Sequence, residues 1–436
     1  MNRVALAIFS SISALIVGAA PQAFAQSEQP DLDLAYVLAT ASYCAYAVGE
    51  ADLDGGQQRA SQCLKAAADS DPSRLALIRA IAENGVEAFF NPNTPEDAYL
   101  LIKSQDSVIL AFRGTLTPPI VPGSGGIPSA VEAALAKYRE REAGLIDTFI
   151  GDWRNNFKIL PENGLRHTGF ADAWSGLAQH LMGKDCAAGA GGAGRACSKF
   201  LSFVGGLPGA APPKLYVTGH SKGGALATLA GLDLPGLIGA AVAPVVYTFA
   251  GAKAVTAEGA KNGAATGVWR FEHQWDIVPS VPLDKTAIIF PSYVHVGGRV
   301  FFAKGRAPDI SGGPVDGFDP PGDLVRLPEA VTHVVKAPLR GLDSFDLGRI
   351  LDAVRGSAEV DCQALVENHF LVFSDVQEAV WARHGTPPLP MTTTEAKLSQ
   401  SFFFTGLPDD RGEILWGFSQ WCRLLRPDGG RGQAPN

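Results

Sequence analysis

Short apolar runs recur along this chain, and most are followed by longer stretches with apolar positions every three or four residues. Ser107–Phe112 is an almost unbroken apolar run closed by Arg113-Gly114, the pattern of a strand buried on both faces. Lys214–Thr218, which runs straight into Gly219, Val245–Phe249 and Val268–Phe271 read as further short strands. Residues 170–182, 223–233 and 364–383 carry helical patterns between and after them. Upstream, the Ala-rich stretch 33–48 and residues 75–83 read as helices, and 86–90 and 98–103 as strands around a turn at Asn91–Pro95. Strands alternating with helices predict an α/β fold with a mostly parallel central sheet and helices on both faces.

Other stretches interrupt this pattern. Residues 117–130 are a Pro/Gly/Ser loop, and 131–150 then turn amphipathic, with Val131, Leu135, Tyr138, Leu145, Ile146 and Phe149 as the apolar stripe. Residues 304–360 begin Gly/Pro-rich and fit an insertion, and 423–436 form a Pro/Gly/Arg tail. At the other end, Arg3, the apolar run Val4–Ala20 and the Ala23-Phe24-Ala25 box form an export signal, with cleavage expected after Ala25. No Cys follows that box, which argues against a lipoprotein anchor, and no later run is long enough to span a bilayer.

Composition narrows the function. The chain has 36 Lys+Arg against 44 Asp+Glu, a formal net charge of −8, and no basic run, so a nucleic-acid partner is not expected. Six cysteines in an exported chain predict disulfides, paired locally as Cys44–Cys63, Cys186–Cys197 and Cys362–Cys422. There is no zinc-type His/Cys cluster, P-loop or dinucleotide fingerprint, so no metal or cofactor is expected.

The candidate chemistry lies at Gly219-His220-Ser221-Lys222-Gly223. Between a strand and a helix, a G-x-S-x-G sequence makes a tight, strained turn that presents the serine hydroxyl above the sheet. Side chains at Gly219 or Gly223 would collide with the neighbouring strand or helix. A serine needs a base, and the base needs an acid to orient it. In this fold class the order is Ser, then Asp or Glu, then His.

Here the sequence resembles the class 3 lipases, the α/β-hydrolases related to fungal triacylglycerol lipases. Gly219 to Ala227 looks like their nucleophile elbow, and Leu110 to Thr115 resembles their oxyanion strand and loop. Arg166 to Phe170 resembles the segment before the helix preceding the elbow. Asp276-Ile277-Val278-Pro279 resembles the acid loop, and His369 to Phe373 more loosely resembles the terminal histidine segment. The resemblance spans about residues 100–375 and implies one hydrolase domain over 26–422. It also implies Ser221 as nucleophile, Asp276 as acid, and backbone N–H groups of Thr115 and Lys222 as the oxyanion hole. Lys222 departs from the family's usual pattern, an aliphatic residue there, although a lysine also occurs in some bacterial relatives; its side chain would set a cation beside the elbow and mildly favour an anionic headgroup.

The base is less sharply defined. His369 is the first choice, expected at a loop-to-helix junction with Phe373, Val376 and Val380 behind it. His295 is the rival and fits a second, non-catalytic histidine of the family. His333 matches nothing and His384 fits a helix end. His167, His220 and Arg113 read as structural, and Asp284 as a weaker acid.

The resemblance implies a secreted ester hydrolase acting on a lipid or other ester, with transient contact at a lipid surface. Residues 116–153 are expected to form the lid, the alternative being an ordinary helical hairpin. A phospholipase A1 or a polyester hydrolase would use the same machinery. A non-catalytic exported binding protein on the same scaffold is the alternative of a different class.

Overall fold

The computed structural model describes residues 29–48, 53–76, 78, 86–91, 94–103, 106–115, 161–162, 164–183, 200, 213–238, 243–262, 267–274, 276, 278–280, 293–303, 306–311 and 362–385. The expected signal segment, the lid at 116–153, the bulk of the insertion at 304–360 and the tail lie outside these residues, as does most of 75–83.

The frame is an eight-stranded sheet. It is built from β1 (Val86–Asn91), β2 (Thr94–Lys103), β3 (Ser107–Phe112), β6 (Lys214–His220), β7 (Val245–Phe249), β9 (Val268–His273), β11 (Gly298–Phe302) and β12 (Asp309–Ser311), in that spatial order. Strands β3, β6, β7, β9 and β11 run parallel, and antiparallel strands flank them on both sides. A second, four-stranded sheet joins β4 (Pro161–Glu162), β5 (Arg166–His167), β8 (Val255–Thr256) and β10 (Tyr293–Val294). Its strands are two residues long, too short for any alternation to announce them.

Helices cover both faces of the main sheet. On one lie α1 (Leu32–Cys44), α2 (Leu53–Ser70) and α6 (Cys362–Arg383); on the other lie α3 (Thr168–Leu181) and α4 (Lys222–Ile238). A short α5 (Ala257–Asn262) packs on the small sheet. Strand β3 shows why its sequence is continuously apolar: Ile109 and Ala111 enter the core under α1, while Val108, Leu110 and Phe112 enter the core under α4. Asp31 caps α1 by accepting the N–H groups of Asp33 and Leu34.

The α/β class predicted above is the observed one, and so are its main strands. Helix α2 was not foreseen, because Gly55-Gly56 and several polar residues obscure its period. The disulfide Cys44–Cys63 is present and ties α1 to α2. The other two expected pairs involve residues outside the described set.

The register aligns the exits of the parallel strands. Phe112 of β3 pairs with Gly219 of β6, His220 of β6 with Phe249 of β7, and Phe249 with Phe271 of β9. The chain segments holding Thr115, Ser221 and Asp276 therefore leave the sheet side by side at its carboxyl edge, where sites form in this class.

Candidate active site

Ser221 sits between the end of β6 and the start of α4 with φ of 59°, left-handed backbone for a residue that has a Cβ. The turn is held by Ser221 N–H donating to the Phe249 carbonyl and Gly224 N–H donating to the Ser221 carbonyl. Both elbow glycines are required by contact. A Cβ at Gly219 would lie 2.1 Å from the Gly223 carbonyl oxygen, and one at Gly223 would lie 2.3 Å from that of Phe112. Ser221 stays partly exposed while its neighbours His220 and Lys222 are buried.

Asp276 and His369 meet although nearly a hundred residues separate them. The Nδ1–H of His369 donates to Asp276 Oδ2 at 2.9 Å, and Asp276 Oδ1 accepts the Val278 N–H at 3.0 Å. Both side chains are buried or nearly so. With the proton on Nδ1, the lone pair of a neutral imidazole lies on Nε2. His369 stands about two turns inside α6 rather than at a loop-to-helix junction, because α6 begins at Cys362.

The other histidines have separate places. His295 donates from Nε2 to the Pro279 carbonyl at 2.6 Å, bracing the acid loop from outside. Burial, helped by the Arg270 and Lys253 cations, holds its pKa well below the usual histidine range. His167 caps α3 through Nδ1 and stacks on Phe170. His384 ends α6 against Asp33, with Gly385 left-handed after it.

His220 is fully buried between Tyr46 and His369. Its Nε2 faces the carbonyl of His369 at 3.0 Å, and its Nδ1 faces the Tyr46 hydroxyl at 2.8 Å. Burial, and then the neighbouring His369, push its pKa well below the usual histidine range, so the ring is neutral.

Two further contacts were invisible in the sequence. Lys222 does not put a cation beside the elbow: its Nζ lies 2.7 Å from Asp97 Oδ1 on β2, and both side chains are buried. The mild preference for an anionic headgroup inferred from Lys222 is therefore withdrawn. His273, at the end of β9, is 2.6 Å from Asp375 Oδ2 on α6, a second His–Asp pair joining the elements that carry Asp276 and His369. On the oxyanion side, Arg113 is wholly buried and donates to the Val48 carbonyl, and Thr115 is buried at the exit from β3. Lys222 occupies the first position of α4, where helix N–H groups and the dipole favour a developing anion. Among the described residues no group of three His, Cys, Asp or Glu could hold a metal ion.

A parallel sheet with a strained serine elbow and a His–Asp pair at its carboxyl edge defines an α/β-hydrolase. The family model described as Lipase (class 3) matches residues 143–286, from before β4 to beyond the acid loop. Among solved structures, the chain is similar to a lipase from Rhizopus microsporus var. chinensis, with 19% identity, 65% of this chain and 77% of that chain covered, and a TM-score of 0.37. It is also similar to the Rhizomucor miehei triacylglyceride lipase, with 16% identity, 70% and 91% covered, and a TM-score of 0.40. No curated protein matches.

Proposed function

We propose that the chain is an exported serine carboxylester hydrolase that cleaves acylglycerol esters through an acyl-enzyme. The observation that carries this reading is the buried Asp276–His369 pair beside the strained Ser221 turn. His369 Nε2 takes the proton from Ser221 Oγ as that oxygen attacks the ester carbonyl carbon. Asp276 holds the imidazole in the Nδ1–H tautomer and stabilises the imidazolium. The backbone N–H groups of Thr115 and Lys222 receive the oxyanion. Collapse breaks the bond to the alkoxy oxygen, which takes the proton from Nε2 and leaves as the alcohol. Water, deprotonated by the same nitrogen, then cleaves the acyl-enzyme.

Export is supported by the signal-like residues 1–25 and by the Cys44–Cys63 bond, which belongs to an oxidising compartment. Among the described residues no helix is long and apolar enough to cross a membrane. Residues 116–153 are proposed as a lid that opens at a lipid surface. The match of residues 143–286 to the lipase family model supports a lipid ester as the substrate class.

The test is labelling by a fluorophosphonate, with hydrolysis of triolein, phosphatidylglycerol and a polyester film measured in parallel. Labelling and triolein hydrolysis are expected, and Ser221→Ala should abolish both. Phosphatidylglycerol or polyester as the better substrate would move the reading to a phospholipase or polyesterase. An unlabelled wild-type protein would make it a binding scaffold.

A further inference from the structure

The N-terminal unit, outside the residues that match the family model, reaches into the site through Tyr46. Tyr46 lies in the single 3₁₀ turn Ala45–Ala47 that follows α1, next to the disulfide at Cys44. A Cβ on Gly114 would stand 2.0 Å from the Tyr46 hydroxyl oxygen and 2.8 Å from the His220 carbonyl. The bare Cα of Gly114 thus makes room for the hydroxyl, which approaches His220 Nδ1 at 2.8 Å.

The partners determine the proton's position. A carbonyl oxygen only accepts, so the 3.0 Å contact between His220 Nε2 and the His369 carbonyl requires the proton on Nε2. A neutral ring then has a lone pair on Nδ1, and the tyrosine O–H donates to it. In the other tautomer, a nitrogen lone pair would face a carbonyl lone pair at the same distance, and Nδ1–H would compete with the tyrosine proton. The rings of His220 and His369 lie 4.4 Å apart between centroids, so a loosened His220 acts directly on the base beside it.

We infer that Tyr46 is a positioning residue: it holds His220 in the Nε2–H tautomer, and His220 thereby ties the residue before the nucleophile to the backbone of the base. This inference rests on the hydrolase reading above, with Ser221 and His369 in their proposed roles. It predicts that losing one hydroxyl slows acyl transfer without weakening substrate binding.

The test uses the full chain with ¹⁵N-labelled histidine. The imidazole nitrogen shifts of His220 report its tautomer, and kcat, KM and the fluorophosphonate inactivation rate are measured alongside. Wild type should show the Nε2–H form; in Tyr46→Phe the ring, no longer held at Nδ1, is free to turn away from the His369 carbonyl and should populate both tautomers. The same variant should lower kcat and the inactivation rate about tenfold or more, since small misplacements of a reacting group have effects of this size, with KM little changed. In a His220→Ala background Tyr46→Phe should change neither rate. A pure Nε2–H form with wild-type kcat in Tyr46→Phe overturns the inference, as does an equal slowing in the His220→Ala background. Should His220→Ala fail to fold, the tautomer and kcat of Tyr46→Phe alone decide. A wild-type protein that is neither labelled nor active overturns the hydrolase reading instead, and the tautomer shift still decides whether Tyr46 controls His220.

Discussion

Lys222 shows how a side chain beside the proposed nucleophile can be kept out of the chemistry. Its ammonium is buried against Asp97, so its charge is compensated inside the protein while its backbone stays at the head of α4. Lys222→Leu restores the aliphatic type of the resembling family but strands a buried carboxylate, so it should destabilise by about 3–5 kcal/mol. Lys222→Leu combined with Asp97→Leu should recover most of that loss; urea unfolding of the wild type and the two variants checks it. The lysine was legible in the sequence but its partner was not, because nothing local links Asp97 to a position on another element. The buried ring of His220 and the largely buried ring of His295 make a second prediction. Their folded pKa values lie below the unfolded value of about 6.5. Above that pH both states leave the rings neutral. Below it the unfolded chain takes up protons that the folded chain refuses, so stability falls with falling pH, by up to about 1.4 kcal/mol per pH unit for each ring. Urea unfolding at pH 7, 6 and 5 should show this slope, and His295→Gln should make it shallower.

Helix α6 is held by two crossed pairs, the acid loop to His369 and His273 of β9 to Asp375. Both pairs fix the rotation of α6 about its own axis, which aims the imidazole. Asp375→Ala leaves His273 in a buried site without its carboxylate and loosens that rotation. We expect a stability loss of about 1–3 kcal/mol, the scale of a lost buried hydrogen bond to a charged group, with kcat reduced more than KM. Thermal unfolding together with steady-state kinetics checks both. The helix itself was legible over 364–383 from the spacing of Phe373, Val376 and Val380, and it begins at Cys362, so His369 lies about two turns inside it rather than at the junction expected of it. Its meeting with Asp276 was anticipated only from the order of segments along the chain.

At the scale of the molecule, the parallel strands and the serine elbow were readable because apolar runs, glycines and small residues carry their own geometric reasons. The N-terminal unit was not, since α1 and α2 gain their role only from what they touch. The disulfide between them closes a loop with a sequence separation of 19, for which chain entropy predicts about 3 kcal/mol. Cys44→Ser with Cys63→Ser should lower the unfolding free energy by roughly that amount in urea. It should also slow fluorophosphonate inactivation, because Tyr46 lies two residues beyond this anchor. The proposed acid and base reside at opposite ends of a long detour: Asp276 arrives with the sheet, His369 only with α6, the last helix described. On this reading a nascent polypeptide carries Ser221 without its proton acceptor until α6 has been made and has docked on the sheet.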